Sequence, residues 1–302
     1  MPALRGRTTR RALLAGSLAA AAAGRARAAG PVVVASKTDG EGALLGRMIL
    51  LALARIGIPV TDRLQLGPTR IVRGALLAGE IDCYPEYTGN AAFFSGTDAD
   101  PVWRRAEGAY EAARRFDAPH GLVWLAPAPA DNTWQIAVQG ALARAHGLAT
   151  MADFAGAVGR GLIELCASAE FVESPAALPS FEKAYGFSLP PERIVVLPGG
   201  DTAVTLRAAA QGISGVNAGM VYGTDGAIAA LDVVVMSDPK GAQIVYEPAP
   251  VIRAPVLAAH PGIAPALGQV FAGLDLATLR RLNAQVAVDG DTPEAVARRY
   301  LG

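Results

Sequence analysis

The sequence predicts an α/β fold of two lobes, each built on its own parallel-rich sheet. Between Val32 and Tyr84, strand-like and helix-like stretches alternate in the order β-α-β-α-β, which favours a parallel sheet with right-handed crossovers. A second alternation of similar length runs from about Gln139 to Met236. The extended segment and the helices after Gln243 cannot form a third sheet. We therefore expect them to pack back on the first lobe, with two crossings between the lobes.

Local signals place the first elements. Thr38 and Glu41 have the spacing of a capping box, which predicts a helix that follows the first strand and ends at Gly57. Thr69 is expected to open a second helix, and Gly79 to end it. In this second helix the expected inward residues are Ile71, Val72, Leu76 and Leu77, and the expected outward residues are Arg70 and Arg73.

The third strand, residues 81–84, is expected to end at Pro85, because proline cannot donate to a strand ladder. Later elements are predicted from apolar runs bounded by glycine and proline. Strands are expected at residues 121–125, 134–138, 162–167, 194–197, 216–222 and 232–236. The main helices are expected at residues 103–116, 179–185, 203–211, 255–260, 263–272, 276–285 and 292–300.

The first 29 residues are interpreted as an export signal. A basic start precedes the apolar run of residues 12–24, which is too short to span a bilayer, and Ala26-Arg27-Ala28 offers a cleavage site. Arg10-Arg11 resembles a twin-arginine signal, so export by the Tat or the Sec route stays open. The alternative is an apolar N-terminal helix of a cytosolic protein. We expect a periplasmic protein.

These features give limits for three parts of the chain. Residues 1–29 are the export signal. Residues 30–137 together with residues 247–302 form the first lobe, and residues 138–246 form the second lobe. The first crossing is thus expected near Val138 and the second near Tyr246.

Charge and cysteine content exclude several classes of function. The chain has 27 basic and 27 acidic residues, so no basic excess points to a nucleic acid or an anionic membrane surface as partner. The two cysteines, Cys83 and Cys166, each lie in an apolar strand-like run. Two buried free thiols are expected, and a disulfide between them is the alternative. We expect a monomer.

No pattern indicates catalysis, a metal or a cofactor. His120, His146 and His260 lie apart from any predicted cluster of nucleophiles or carboxylates, and known hydrolase, phosphate-loop and zinc motifs do not occur. Asp82 and Glu86 could form an acid/base pair, but hydrogen-bonding roles are favoured. Residues 199–201, Gly-Gly-Asp, are a weak phosphate signal that more simply marks a helix N-terminus.

Aromatic residues gather at the predicted strand ends. Tyr84, Tyr87, Trp134 and Tyr222 lie there, and aromatic faces around a cleft suit a cation that cannot donate hydrogen bonds, such as a quaternary ammonium. Lys37, between a strand end and a helix N-terminus, and Thr88 suit a carboxylate. Such a zwitterion is betaine-like. The alternative is that these aromatic rings simply fill the core between the lobes.

A set of motifs in the same order resembles the osmoprotectant-binding proteins of ABC importers (the OpuAC/ProX-like family), most of all its OsmF (YehZ) subgroup. The resemblance extends from about Val33 to Tyr300. It rests on Ser36-Lys37, residues 79–89, Asn132-Thr133-Trp134, Ala169-Glu170-Phe171, residues 182–187, residues 197–204, residues 212–217 and residues 222–226.

The resemblance implies a type II periplasmic binding fold that closes over glycine betaine, choline or a relative and then docks on an inner-membrane permease. It implies that Lys37 and Thr88 meet the ligand carboxylate. It also implies that the ammonium is caged by aromatic residues at the family's motif positions. The cage is expected from Tyr84 or Tyr87, Trp134 and Tyr222, and Asn132, Glu170, Thr224 and Asp225 complete the expected ligand-binding set.

Two departures from the family pattern bear on affinity. Pro85 stands where many members have a second aromatic residue, and Ser174 stands where many have an arginine that clamps the carboxylate. Loss of that arginine weakens betaine binding by roughly ten- to hundredfold. The expected function is therefore betaine binding with low affinity. The alternatives are a receptor for another solute, such as an amino acid or a larger betaine, and an enzyme on the same scaffold.

Overall fold

Two five-stranded sheets organise the computed structural model, which describes residues 30–197 and 202–302. The expected export signal and the Gly-Gly-Asp signal of residues 199–201 lie outside the described residues. The strands are β1 Val32–Lys37, β2 Val60–Gly67, β3 Cys83–Tyr87, β4 Leu122–Trp124, β5 Trp134–Gln139, β6 Leu165–Ser168, β7 Ile194–Leu197, β8 Ala218–Tyr222, β9 Val233–Val235 and β10 Pro248–Arg253.

The helices lie between and after these strands. They are α1 Gly40–Arg55, α2 Thr69–Ala78, α3 Asn90–Ser95, α4 Ala106–Asp117, α5 Gly140–His146, α6 Met151–Gly159, α7 Ala169–Glu173, α8 Leu178–Tyr185, α9 Thr202–Gln211, α10 Ala227–Ala230, α11 Ala254–Ala259, α12 Ile263–Ala272, α13 Leu276–Ala287 and α14 Pro293–Leu301. The predicted two-lobed α/β architecture is confirmed. No helix of the described part of the chain is long and apolar enough to cross a membrane.

The first sheet has the strand order β2-β1-β3-β10-β4. Strand β1 pairs in parallel with β2 and β3, as the β-α-β-α-β pattern predicts, whereas β10 runs antiparallel to β3 and β4. The expectation that Pro85 ends the third strand is wrong. Pro85 lies inside β3 opposite Pro250, in the part of the strand beyond its one registered pair with β1, Val34–Cys83.

The second sheet has the strand order β7-β6-β8-β5-β9. Strand β6 pairs in parallel with β7 and β8, and β5 runs antiparallel to β8 and β9. All of Trp134–Gln139 belongs to this sheet. The boundary expected between Ala137 and Val138 would cut through that strand, so the chain leaves the first sheet before Trp134.

The C-terminal helices complete the core of the first lobe. Leu267, Phe271, Leu279 and Val296 are buried in one apolar cluster with Leu45 and other α1 residues. A second cluster covers the other side of the same sheet and includes Trp103, Trp124 and Tyr84. Burial of this apolar surface against both faces of the sheet is the main stabilising contribution in the first lobe.

Helix α1 begins differently from the expected capping box. Its N-cap is Asp39, whose carboxylate accepts a hydrogen bond of 2.6 Å from the backbone N–H of Gly42. Thr38 therefore does not cap the helix, and Glu41 does not reach back to it. Instead the Glu41 carboxylate points toward Tyr87 and Asn132. The expected C-terminal stop at Gly57 is confirmed by its left-handed backbone, with φ of 78°.

A buried ion pair reverses part of the expected orientation of α2. Arg73 is buried rather than outward, and its guanidinium donates to both carboxylate oxygens of Asp117 at 3.1 and 2.6 Å. Trp124 Nε1 donates to the same carboxylate at 2.7 Å. Ile71 and Leu77, expected to face inward, are exposed instead. Arg73 is thus buried together with Val72 and Leu76, and Asp117 supplies the partner that a buried cation requires.

Both cysteines are free and buried, one in each sheet. Burial raises the pKa of the Cys83 thiol, and to a lesser extent that of Cys166, so both stay protonated at neutral pH.

Candidate functional site

A cavity of about 750 Å3 lies between the carboxyl ends of strands from both sheets. Side chains of α1, of the segment before β5 and of the loop after β8 line it, together with residues of α13. Eight of the expected ligand-binding residues lie on its wall: Lys37, Tyr87, Asn132, Trp134, Glu170, Tyr222, Thr224 and Asp225.

Two expected site residues do not line the cavity. Tyr84 is fully buried in the apolar cluster on the far side of the first sheet, and its hydroxyl donates to Glu86 at 2.6 Å. Thr88 is also fully buried, and its hydroxyl donates to the carbonyl of Val245 at 3.0 Å. Alternate residues of a strand point to opposite faces, so Tyr84 and Tyr87 cannot share one wall. Pro85 is likewise absent from the wall.

Lys37 reaches the cavity with its charge already paired. Its ammonium lies 2.8 Å from Glu86 Oε1, and the two side chains are 11% and 1% exposed. Glu86 also accepts hydrogen bonds from the Tyr87 N–H at 2.8 Å and from Asn90 Nδ2 at 2.7 Å. Asp82 accepts from the Val33 N–H at 2.9 Å. Glu86 and Asp82 therefore make structural hydrogen bonds, and neither offers a free base.

The same ammonium covers one aromatic face. Lys37 Nζ lies 4.3 Å from the centroid of the Tyr87 ring, a cation–π contact within the protein itself. Burial, and then the negative charges of Glu41 and Asp39, raise the pKa of the Tyr87 hydroxyl. That hydroxyl stays protonated and donates to Glu41 Oε1 at 2.5 Å.

Glu41 is a wall residue that the sequence did not single out. Its carboxylate accepts hydrogen bonds from Asn132 Nδ2 at 3.2 Å and from Asn283 Nδ2 at 2.5 Å, in addition to Tyr87. A side-chain hydrogen bond also joins it to Thr224. Burial raises the pKa of Glu41, although these hydrogen bonds oppose the shift. An acidic residue in the first turn of the helix that follows a strand end is the signal that could have identified it.

An aromatic wall forms the second-lobe side of the cavity. The rings of Trp134 and Tyr222, which are paired across β5 and β8, have centroids 4.4 Å apart, and the centroid of the Phe171 ring lies 5.5 Å from that of Trp134. Rings this close are in van der Waals contact, so no trimethylammonium group fits between them. Trp134 and Tyr222 therefore offer one continuous surface rather than two sides of a cage.

Tyr246 is a second wall residue that sequence reasoning missed. It lies on the second crossing, lines the cavity, and packs closely on Gly89, where an added Cβ would come within 2.7 Å of the Tyr246 ring. Burial raises the pKa values of Tyr222 and Tyr246, and the nearby Glu170 charge adds to both shifts. Both hydroxyls stay neutral at physiological pH, and the rings keep their electron-rich faces.

Two glycines hold the loop after β8 against its neighbours. A Cβ on Gly223 would lie 2.2 Å from the carbonyl oxygen of Asp131, and a Cβ on Gly226 would lie 2.2 Å from the backbone nitrogen of Ala284 in α13. Arg280 Nε donates to the Gly223 carbonyl at 2.6 Å, and Asn283 Nδ2 donates to the Thr224 carbonyl at 2.9 Å. The Tyr-Gly-Thr-Asp-Gly motif thus needs its glycines because the loop lies directly against the backbones of Asp131 and Ala284.

The outer part of the wall carries Ser174, at the position where an arginine is expected in the family. Ser174 ends α7, and its N–H donates to the Glu170 carbonyl at 2.9 Å. Arg70, which is exposed, also lines the cavity. No group of three or more His, Cys, Asp or Glu side chains that could hold a metal occurs among residues 30–197 and 202–302.

Comparisons with known proteins agree with this geometry. A family profile described as the substrate-binding domain of ABC-type glycine betaine transport systems (OpuAC) matches residues 30–302. The glycine betaine-binding protein YehZ of Escherichia coli is 51% identical over 277 residues, which cover 91% of each chain. A glycine betaine-binding protein of Pseudomonas aeruginosa is 29% identical over 89% of this chain and 86% of its own.

The solved structure of ligand-free Escherichia coli YehZ superimposes with a TM-score of 0.80 at 51% identity, over 90% of this chain and 98% of that chain. The resemblance to the OsmF (YehZ) subgroup is thereby confirmed. The chain belongs to the family of substrate-binding proteins of ABC-type glycine betaine transport systems.

Proposed function

We propose that this chain is a periplasmic receptor that binds a glycine betaine-like quaternary ammonium between its lobes and delivers it to an inner-membrane ABC permease. The observation that carries the proposal is the aromatic wall of Trp134 and Tyr222, which lines a cavity between two lobes together with Tyr246. A quaternary ammonium cannot donate hydrogen bonds, and aromatic faces attract it through their quadrupoles, by about 0.5–2 kcal/mol each. The relatives named for glycine betaine binding support this assignment.

The proposed binding is weak for a ligand that carries a carboxylate. Lys37 is ion-paired with Glu86, so its charge is already partly neutralised before any ligand arrives. Ser174 supplies no bidentate cation at the position of the family's arginine. Four carboxylates (Asp39, Glu41, Glu170 and Asp225) line the cavity beside Lys37 and Arg70. Repulsion from these four groups opposes binding of the ligand's carboxylate.

The delivery step follows from the two-lobed fold. We propose a first lobe of residues 30 to about 132 with residues 247–302, and a second lobe of the residues between. The two crossings then act as a hinge, and closure around the ligand creates the surface that the permease recognises. We further propose that residues 1–29 direct export, that the mature chain is a monomer without nucleic-acid partners, and that it catalyses no reaction.

Calorimetric titration of the purified protein tests the proposed ligand. Glycine betaine, choline, carnitine, proline betaine and several amino acids are titrated up to millimolar concentration. We expect heat from at least glycine betaine, and about tenfold or greater weakening in Tyr222→Ala, because that variant removes one of the aromatic faces. Tyr222→Phe, which keeps the ring, is the matched control. Absence of heat from every quaternary amine, or heat from an amino acid alone, would contradict the proposal.

Ser174→Arg is expected to tighten glycine betaine binding by about ten- to hundredfold, because a guanidinium on the wall adds a charge-assisted pair with the carboxylate. Choline has no carboxylate, so its affinity should not rise. The measurement is the change in dissociation constant for both ligands. Equal changes for the two ligands would show that residue 174 does not face the carboxylate.

A further inference from the structure

Glu41 is a half-buried carboxylate on the cavity wall that lacks a cationic partner. Its hydrogen-bond donors are a phenol, two amides and the Thr224 side chain, all neutral. In the part of the chain that the structure describes, no lysine or arginine lies within ion-pair distance of it. Lys37, the cation on the neighbouring strand end, is paired with Glu86 instead.

An ionised carboxylate that is partly removed from water is costly unless a positive charge compensates it, and a ligand that fills the cavity removes the remaining water. Neutral donors orient the carboxylate and stabilise it, but they leave the net charge in place. The Oδ1 atom of Asn132, whose Nδ2 donates to Glu41, is buried and accepts no hydrogen bond, so its partial negative charge is also uncompensated. Both groups belong to the cavity in which a quaternary ammonium is proposed to bind.

We propose that Glu41 is the counter-charge of the ligand's ammonium and therefore determines specificity for a cationic head group. This inference rests on the proposed function. Glu41 would select ligands by the positive charge of their head group, whereas the aromatic wall selects them by shape and apolar surface. Neutral donors hold Glu41 ready, and the ligand supplies the cation that this part of the protein lacks.

The proposal implies that binding and protonation of Glu41 are coupled. Burial raises the pKa of Glu41 in the empty protein. A cation beside the carboxylate favours the ionised form, so the pKa falls when the ligand binds and a proton is released. Affinity for a quaternary ammonium should therefore decrease as the pH falls through the pKa of the empty protein, and should level off above it.

Other ionisable groups lie near Glu41, and their titration must be distinguished from that of Glu41. The ionisable groups on the cavity wall are Lys37, Asp39, Arg70, Tyr87, Glu170, Tyr222, Asp225 and Tyr246. Those on the elements behind the wall are Glu86 on β3, Asp131 and Glu247 on the crossings, and Arg280 on α13. Burial raises the pKa of Asp131 to about 6 and that of Glu247 to about 7, so both titrate in the relevant range. Both remain in a Glu41→Gln variant, and the difference between the two proteins isolates Glu41.

The test compares glycine betaine with 3,3-dimethylbutanoate, which has the same shape and carboxylate but a neutral carbon in place of the nitrogen. Titrations at pH 8 and pH 5.5, in buffers of different ionisation enthalpy, give the affinity and the number of protons released. In Glu41→Gln we expect glycine betaine to bind roughly ten- to hundredfold more weakly, while 3,3-dimethylbutanoate binds equally well or more tightly. The number of protons released when glycine betaine binds at pH 5.5 should be smaller in Glu41→Gln than in the wild type. Glu107→Gln, the same change at an exposed position of α4, should alter none of these values.

The possible outcomes of these titrations distinguish a charge-selecting role of Glu41 from a purely structural one. Equal weakening of both compounds, or unchanged binding of glycine betaine, would show that Glu41 only ties segments together, and would leave the proposed function intact. If the wild type binds no quaternary amine, both the function and this inference fail. If Glu41→Gln does not fold, the two compounds are compared on the wild type. Release of protons on binding of glycine betaine but not of 3,3-dimethylbutanoate supports the proposal, and equal release overturns it.

Discussion

Gly226→Ala is expected to weaken glycine betaine binding at least tenfold and to lower the free energy of unfolding by about 2–4 kcal/mol. The added Cβ would lie 2.2 Å from the Ala284 nitrogen and 2.5 Å from its Cα. These are backbone atoms of α13, which cannot rotate away as a side chain can. The loop must therefore move off the helix, and the hydrogen bonds from Arg280 to Gly223 and from Asn283 to Thr224 are lost.

The backbone of Gly226 is right-handed helical, with φ of −64°, so alanine has no conformational cost of its own there. Gly268→Ala in α12 is the matched control, because nothing lies within 4 Å of the added Cβ. We expect that control to raise the free energy of unfolding by about 0.5–1 kcal/mol. Urea unfolding and calorimetric titration provide the two readouts. If Gly226→Ala behaves like the control, the loop after β8 is not held against α13.

Asp117→Asn is expected to lower the free energy of unfolding by about 3–5 kcal/mol, because the change leaves the Arg73 charge buried without a partner. It also weakens the contact with the Trp124 N–H, which donates to this carboxylate at 2.7 Å. Asp117 is completely buried, and neither it nor Arg73 lines the cavity. Ligand affinity of the folded protein should therefore stay within about twofold of the wild type.

Asp232→Asn is the matched control for this ion pair. Arg144 donates to both oxygens of Asp232 at 2.7 and 2.8 Å, but the two side chains are 63% and 61% exposed. Water screens such a pair, so its loss should hardly change the urea midpoint. A loss for Asp117→Asn no larger than for Asp232→Asn would mean that Arg73 finds solvent or another partner in the variant.

The order of strands and helices could be predicted from the sequence, because glycine stops and apolar runs lie within or next to the elements that they mark. The expected stops at Gly57 and Gly79 have left-handed backbones, and β1, α1, β2 and α2 follow one another in the expected order, whereas β3 continues through Pro85. Which face of a helix is buried was harder to predict. The outward assignment of Arg73 failed because its partner Asp117 lies 44 residues away, and no periodicity within a helix can show a buried partner.

In the candidate site, too, residues marked by local motifs were predicted correctly, and residues that depend on distant partners were not. Motif positions at strand ends placed Lys37 and Tyr222 on the cavity wall, because the carboxyl ends of parallel strands meet at one edge. Trp134 lies there because β5 is antiparallel to β8, which brings the amino end of β5 beside Tyr222. Tyr84 was misassigned although strand alternation with Tyr87 could have excluded it. Glu41 was hidden for a different reason. Its partners lie 46, 91 and 242 residues away, so only the assembled fold gives it a role.

The interior position of β10 has a consequence for biosynthesis. This strand, residues 248–253, separates β3 from β4 in the first sheet, yet the ribosome makes it after the whole second lobe. Until then the nascent chain carries two strands whose facing edges lack their partner, and open edges are sites of aggregation. The first lobe therefore cannot mature co-translationally by itself. Its completion must wait for a sequence-distant pairing, which is the slow kind of step in folding.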